Sequence, residues 1–215
     1  LSEIAGDVFG ADHPGVRILN MVVARTVIIS RSPINDASDL KGKRIRAAGS
    51  VQSNVLEALG AVPTAIQPGD LNDALSKGMI EGVSIGYTGI ESYKLDDAAK
   101  FIAEGDMGSI SFATIMNQSS YNGLPADLRK IIDDTSGVAG ARIFGKIFAD
   151  DETTAKADLA KRGVKISQMT DKGGLLARAA KINDQANSKA EGKGSDARAA
   201  VEKIKAATAK YASED

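Results

Sequence analysis

Lys43-Arg44-Ile45-Arg46-Ala47-Ala48-Gly49-Ser50-Val51-Gln52-Ser53-Asn54-Val55-Leu56-Glu57-Ala58-Leu59-Gly60 is the stretch whose reading decides the fold. Arg44 to Ala47 alternates with period two, which predicts a short strand with Ile45 on the face opposite both arginines. Gly49-Ser50 turns the chain. Val51, Val55, Leu56, Ala58 and Leu59 then recur at helical spacing, with Ser50 placed as an N-cap and Gly60 as the stop. The unit repeats downstream: Thr64-Ala65-Ile66 reads as a strand, Pro68-Gly69-Asp70 opens a helix through Leu71, Ala74 and Leu75, and Gly78 closes it before Val83-Ser84-Ile85. Such alternation predicts an α/β fold with a mainly parallel sheet.

Working outward, Gly15 to Val23 and Val27-Ile28-Ile29 read as two buried strands, bounded by Pro14 and Ser32-Pro33. A polar turn from Asp36 to Lys43 leads into the deciding stretch. Beyond it, Ala99 to Ile102 and Ser109 to Met116 read as a strand pair, and Asn117 begins a helical region. Pro125 stands near the first turn of a long helix that runs towards Arg162, with Leu128, Ile131, Ile132, Val138, Ile143, Ile147 and Phe148 at three- and four-residue spacing. At ~1.5 Å per residue such a helix exceeds the diameter of a small lobe. It is therefore expected to bridge two lobes or to break near Ser136-Gly137. Gly163 to Ile166 reads as one more strand, followed by helices over Asp171 to Ala190 and Ser195 to Tyr211, joined by Glu191-Gly192-Lys193-Gly194.

Composition removes several functions. The 215 residues, 43% hydrophobic and 26% charged, suit one large or two small soluble lobes. With 4% aromatics, no Trp and a net charge of -1, the chain has neither a base-stacking platform nor a footprint for nucleic acid. No apolar run reaches the roughly 18 residues of a membrane span, and the opening Leu1-Ser2-Glu3-Ile4 lacks a basic, then apolar, secretory leader. Absence of Cys excludes disulfides, thiolate catalysis and Cys-bound zinc. His13 is the one histidine and sits beside Pro14 in a surface loop, so no His triad or multi-His metal site can form. The glycines spell no phosphate-binding motif. No catalytic residue, metal ligand or cofactor is assigned.

Arg46 stands out by position. Ligands of open α/β sheets bind beyond the carboxyl ends of strands, and Arg46 ends its strand just before a helix start that favours anions. A guanidinium there can take a carboxylate through two parallel hydrogen bonds, which Lys cannot copy. The plainer alternative is a solvated strand-end residue paired with a nearby acid. Arg44 and Arg31 read as solvent-bound. Arg25 lies between two apolar runs, where a buried charge needs a partner. Ser50, Ser53 and Asn54 either donate to a ligand or cap the helix. Tyr87, between Gly86 and Thr88 past another strand end, either covers a bound solute or packs between lobes.

Longer strings carry a family resemblance. Pro33-Ile34, Asp39-Leu40-Lys41-Gly42-Lys43-Arg44-Ile45-Arg46, Leu59-Gly60-Ala61-Val62-Pro63 and Ala74-Leu75-Ser76-Lys77-Gly78-Met79-Ile80-Glu81-Gly82 resemble the solute-binding subunits of tripartite ATP-independent periplasmic (TRAP) transporters, of the dicarboxylate-binding, DctP-like type. Tyr93-Lys94-Leu95-Asp96, Met116-Asn117 to Tyr121, Leu124-Pro125-Ala126-Asp127-Leu128-Arg129-Lys130 and Gly163-Val164-Lys165-Ile166 agree, in the family's order.

The resemblance implies a two-lobed periplasmic-binding-protein clamshell with a long helix crossing both lobes. Residues 1–23 and 113–150 would form a partial first lobe, and 24–112 with 151–215 the second. Family members carry further first-lobe sequence ahead of the segment that begins here, so the first lobe is expected to be incomplete. The hallmark arginine falls on Arg46 and an assisting basic residue on Arg25. The loop after the second helix points to Ser84 through Tyr87, where many members place an Asn, and Pro68-Gly69 stands where many place an aromatic. The implied ligand-binding set is Arg46, Arg25, Ser50, Ser84 and Tyr87. The implied role is capture without catalysis in the periplasm. A small organic carboxylate would pair with Arg46, the lobes would close by a hinge, and the solute would pass to membrane permease subunits. An α/β enzyme acting on a carboxylate and a sensory module of the same fold remain as alternatives.

Overall fold

The computed structural model describes residues 2–9, 13–105, 108–170, 177, 180–182, 184–185, 187–188, 191–192 and 196–211. The chain divides into two compact units. Unit 1 comprises 1–24, 111–149 and 187–215, and unit 2 comprises 25–110 and 150–186. The resemblance would place everything from 151 to 215 in the second lobe, whereas residues 187–215 group with unit 1.

Unit 2 is built on a six-stranded sheet. Its strands are β2 (Val27–Ser30), β3 (Arg44–Arg46), β4 (Val62–Thr64), β5 (Gly82–Ile85), β6 (Phe101–Glu104) and β8 (Lys165–Gln168), in the order β4-β3-β5-β2-β6-β8. β3 runs parallel to β4 and β5, and β6 parallel to β8. β2 runs against both its neighbours, so the sheet is mixed where the sequence predicts a mainly parallel one. Between β2 and β3 the chain holds only a 3-10 turn, Ala37–Leu40, capped by Asp36. Without a crossover helix it re-enters the sheet from the end at which β2 left, and that fixes the reversed direction. β4 lies two residues earlier than predicted because Arg44 pairs with Val62 and Arg46 with Thr64.

Both faces of this sheet are covered, as apolar residues on alternate positions require. Val27, Ile29, Val83 and Ile102 face one core. It is filled by α3 (Leu71–Ser76), by α4 (Tyr87–Ser92) through Tyr87 and Ile90, and by Ala155 and Leu159. Ile28, Ile45 and Ala103 face the other, under the 3-10 turn and Leu56 and Leu59 at the end of α2 (Ser50–Ala58).

Unit 1 contains most of β1 (Val16–Arg25) and β7 (Ser109–Asn117), which pair as a two-stranded sheet. With one partner only, β1 is half-buried rather than buried, and Val23 is exposed. Helices α1 (Ala5–Phe9), α5 (Gln118–Asn122), α6 (Ala126–Thr135) and α8 (Ala197–Tyr211) belong to it. The long helix breaks where expected. Ser136 is extended, Gly137 takes φ +60°, a left-handed value costly for other residues, and α7 (Gly137–Lys161) starts afresh. Its residues up to Ala149 group with unit 1 and the remainder with unit 2. The helix expected over Asp171 to Ala190 lies largely outside the described residues.

Candidate functional site

Arg46 closes β3, aligned with Val83 of β5 and Thr64 of β4. Period-two geometry puts it on the Val83 face, with Ile45 on the opposite one. It is 8% exposed, unusual for arginine. Its Nε donates to the Ile66 carbonyl at 3.2 Å. Among the described residues neither terminal nitrogen donates to a protein acceptor, no carboxylate pairs with the group, and neither nitrogen is sealed in the interior. Burial lowers the guanidinium's hold on its proton, with Tyr93 opposing that effect; the group stays charged near neutrality. Arg44, two residues earlier, is spent: Glu81 accepts from its Nε at 3.2 Å and from its backbone N–H at 2.7 Å. The alternative of an acid-paired, solvated Arg46 therefore describes Arg44 instead.

Arg25 is exposed, not buried between apolar runs. It ends β1, and Val27 pairs with Ile85, so two residues before Val27 it stands at the sheet edge where β3 and β5 finish. Ser50, exposed, is the first residue of α2 at that same edge. It is not the cap: Gly49 holds that position, and the Gln52 side chain accepts from the Ala48 N–H at 2.6 Å.

Ser84 and Arg46 are not brought together. Ser84 pairs with Ile28, which sets it on the Ile45 face, 1% exposed, with its hydroxyl unpaired. A one-residue offset along a strand reverses the face, and that offset is what the reading of Ser84 through Tyr87 as one lining loop overlooks. Tyr87 is buried within unit 2, and its hydroxyl donates to Glu104. Burial first, then Glu104, pushes that phenol's pKa far up. Its hydroxyl is thus engaged by Glu104 inside unit 2.

Sequence reasoning missed the carboxylates around Tyr87. Glu152 of α7 accepts from the Tyr87 N–H at 2.8 Å, the Thr88 N–H at 2.9 Å and the Thr88 hydroxyl at 2.6 Å. It thereby satisfies the start of α4, which has no capping side chain of its own. A Cβ at Gly86 would lie 2.9 Å from a Glu152 oxygen, so a side chain there would push that carboxylate away from the α4 start. Glu104 takes hydrogen bonds from Tyr87, Lys156 and Gln168. Each of these carboxylates lies at least 17 residues from the groups that donate to it, so no local pattern announces the pairing.

Burial pushes the Glu104 carboxyl up, but donation from Lys156, Tyr87 and Gln168 outweighs it and holds the group below the usual carboxylate range. A carboxyl depressed in the folded state contributes stability that is fully present above its unfolded value, about 4.3. That contribution is lost as pH falls through the lower folded value. The wild-type chain is thus expected to lose stability below about pH 4, and Glu104→Gln to lose this part of the acid dependence. Thermal melts of both proteins at matched acidic pH check it, and parallel pH profiles would refute it.

Away from this edge, unit 1 holds an apolar cavity of about 200 Å³ lined by His13, Val16, Ile18, Met21, Ala113 and Ile115. That is smaller than usual ligand pockets. His13 itself is exposed. Among the described residues no helix is long and apolar enough to cross a membrane.

The family model for bacterial extracellular solute-binding proteins, family 7, matches residues 11–188. A solute-binding protein of Sulfitobacter sp. NAS-14.1 is 28% identical over 69% of this chain and 42% of its own length. The C4-dicarboxylate-binding periplasmic protein DctP of Rhodobacter capsulatus is 27% identical over 48% of this chain and 31% of its own. The chain thus spans less than half the length of these curated relatives. Among solved structures, a TRAP solute-binding protein of Rhodoferax ferrireducens, in complex with copurified benzoate, superposes with a TM-score of 0.86 at 26% identity, over 92% of this chain and 64% of that one. With its family model matched over most of its length and its α/β fold shared with TRAP solute-binding structures, this chain belongs to the family 7 extracellular solute-binding proteins of TRAP transport, a family of binders and not of enzymes.

Proposed function

We propose that the chain captures a small organic carboxylate at the edge where β3 and β5 end, as the periplasmic receptor of a TRAP-type secondary transporter, and delivers it to membrane permease subunits. One observation carries this: Arg46 is a buried guanidinium with no acid partner among the described residues. Burying a charge without a counter-ion costs several kcal/mol, so such a group is retained where something supplies the counter-ion. With Nε committed to Ile66, the fork that remains is formed by the two terminal nitrogens. A carboxylate meets it end-on with two charge-assisted bonds. Arg25 is the second cation at this edge, and Ser50 with the α2 start offers donors to the same anion. Tyr87 serves by anchoring α4, while Ser84 lies on the wrong face to take part. The relatives named for a C4-dicarboxylate and crystallised with benzoate share only the carboxylate, which fits recognition centred on that group.

Titration calorimetry with a carboxylate and its uncharged amide separates charge pairing from general adhesion. The amide is expected to bind about 30-fold more weakly or worse, as removal of a buried charge partner implies. Equal affinities would reject the reading.

A further inference from the structure

Part of the hydrogen-bonding capacity at the Arg46 edge is consumed within the protein, and the strand ends beside it carry mostly apolar side chains. The Gln52 Oε1 accepts from the Ala48 N–H. The Thr88 hydroxyl and amide are held by Glu152, and the Tyr87 hydroxyl by Glu104. Ser84 is sealed on the opposite face. The Thr64 hydroxyl reaches back to the Val62 carbonyl at 3.4 Å. What the strand ends offer beside Arg46 is Ala48, Ala65, Ile66, Ile85 and Gly86, with Ile66 and Ile85 half-buried against the core on the Arg46 side and Ala47 buried in the core of the other face. Arg25, Ser50 and Gln67 are exposed polar residues left at this edge, and Tyr93, which acts on the Arg46 guanidinium, is 38% exposed.

From this accounting we infer that the ligand is a monocarboxylic acid with an apolar, ring-sized body, an inference that rests on the placement of its carboxylate at Arg46. A polyhydroxylated acid brings hydroxyls that lose water and find few partners here, each weakening binding by about tenfold. Among the described residues the further cation at this edge for a second carboxylate is Arg25, whose exposure leaves an ion pair screened and weak. An apolar ring instead gains by leaving water against alanine and isoleucine side chains. Ile85 is the specificity-determining position. It ends β5 on the Arg46 side, and its side chain lies over Gly89, where an added Cβ would come within 2.5 Å of it.

Calorimetry of the 215-residue chain with benzoate, phenylacetate, succinate and glucuronate tests this. Benzoate or phenylacetate is expected to bind at least about tenfold more tightly than succinate or glucuronate. Ile85→Thr, which keeps the β-branch but shortens and hydroxylates the side chain, is expected to narrow that gap with the fold retained by circular dichroism. Succinate or glucuronate binding as tightly as either aromatic acid would overturn the apolar-body inference and leave the Arg46 reading standing. An unchanged gap in Ile85→Thr would overturn the role of Ile85. Absence of binding by all four would overturn the Arg46 reading and this inference together.

Discussion

Arg46→Ala is expected to weaken carboxylate binding by about 30-fold or more, measured by titration calorimetry. Truncating one partner of a buried, hydrogen-bonded charge pair costs about 2–5 kcal/mol, and about 1.4 kcal/mol is a factor of ten. The loss follows from the environment of the group. A buried guanidinium with its Nε held by Ile66 has its free nitrogens already aimed, so little ordering remains to oppose the ion pair. Arg46→Lys is expected to recover only a small part, because a point charge cannot form the two parallel bonds and cannot also donate from an Nε position to Ile66. Stability of the variants should change little, since the one intramolecular bond lost is of the order of 1 kcal/mol. Affinity unchanged in either variant would reject the assignment. By contrast Arg44→Ala, which removes the Glu81 partner at an exposed position, should leave affinity nearly intact.

The largest effect on stability is expected from Ile29→Ala. Ile29 is fully buried in β2, the interior strand between β5 and β6, aligned with Val83 and Ile102. It packs in the core that α3, α4 and α7 cover. Replacing a fully buried isoleucine by alanine costs about 2–5 kcal/mol, the transfer of the lost methyls plus the cavity they leave. Urea denaturation reads this as a drop in midpoint, with Val51→Ala, 57% exposed on α2, as a control expected to lie within about 0.5 kcal/mol of wild type. A cost below about 1 kcal/mol at Ile29 would mean that this interior is loosely packed. Since β2 lies next to β5, the loss should also loosen the strand end that carries Ile85 and the α4 start.

Much of this was legible locally. The β3-turn-α2 unit follows from residues within one or two turns of each other: the alternation at Arg44 to Arg46, the apolar spacing to Leu59, and Gly60 in a left-handed conformation at φ +86°. The break at Ser136-Gly137 is local for the same reason. Arg46 could be singled out because a strand end ahead of a helix start is itself a feature of the sequence. The direction of β2 was less legible, since it depends on where the chain re-enters the sheet after the 3-10 turn and not on the apolar run Val27 to Ile29. Ser84 and Tyr87 were placed in one loop by proximity in sequence, yet β5 sends Ser84 to the far face and α4 turns Tyr87 inward to Glu104.

What the sequence by itself determined is the α/β alternation, the family to which the strings from Pro33 to Gly82 belong, and the arginine that ends β3. All of these rest on contacts between near neighbours and on period-two and helical spacing, which a linear text displays. Only the tertiary structure decided that Arg46 is buried with no acid partner among the described residues while Arg44 is neutralised by Glu81. It alone decided that Arg25 is exposed at the same edge, and that Glu152 and Glu104 of distant segments consume the polar groups around Tyr87. The physical reason is that burial and hydrogen-bond partnership are set by whichever groups the closed fold brings within about 3 Å, and in unit 2 those groups come from segments far apart in sequence.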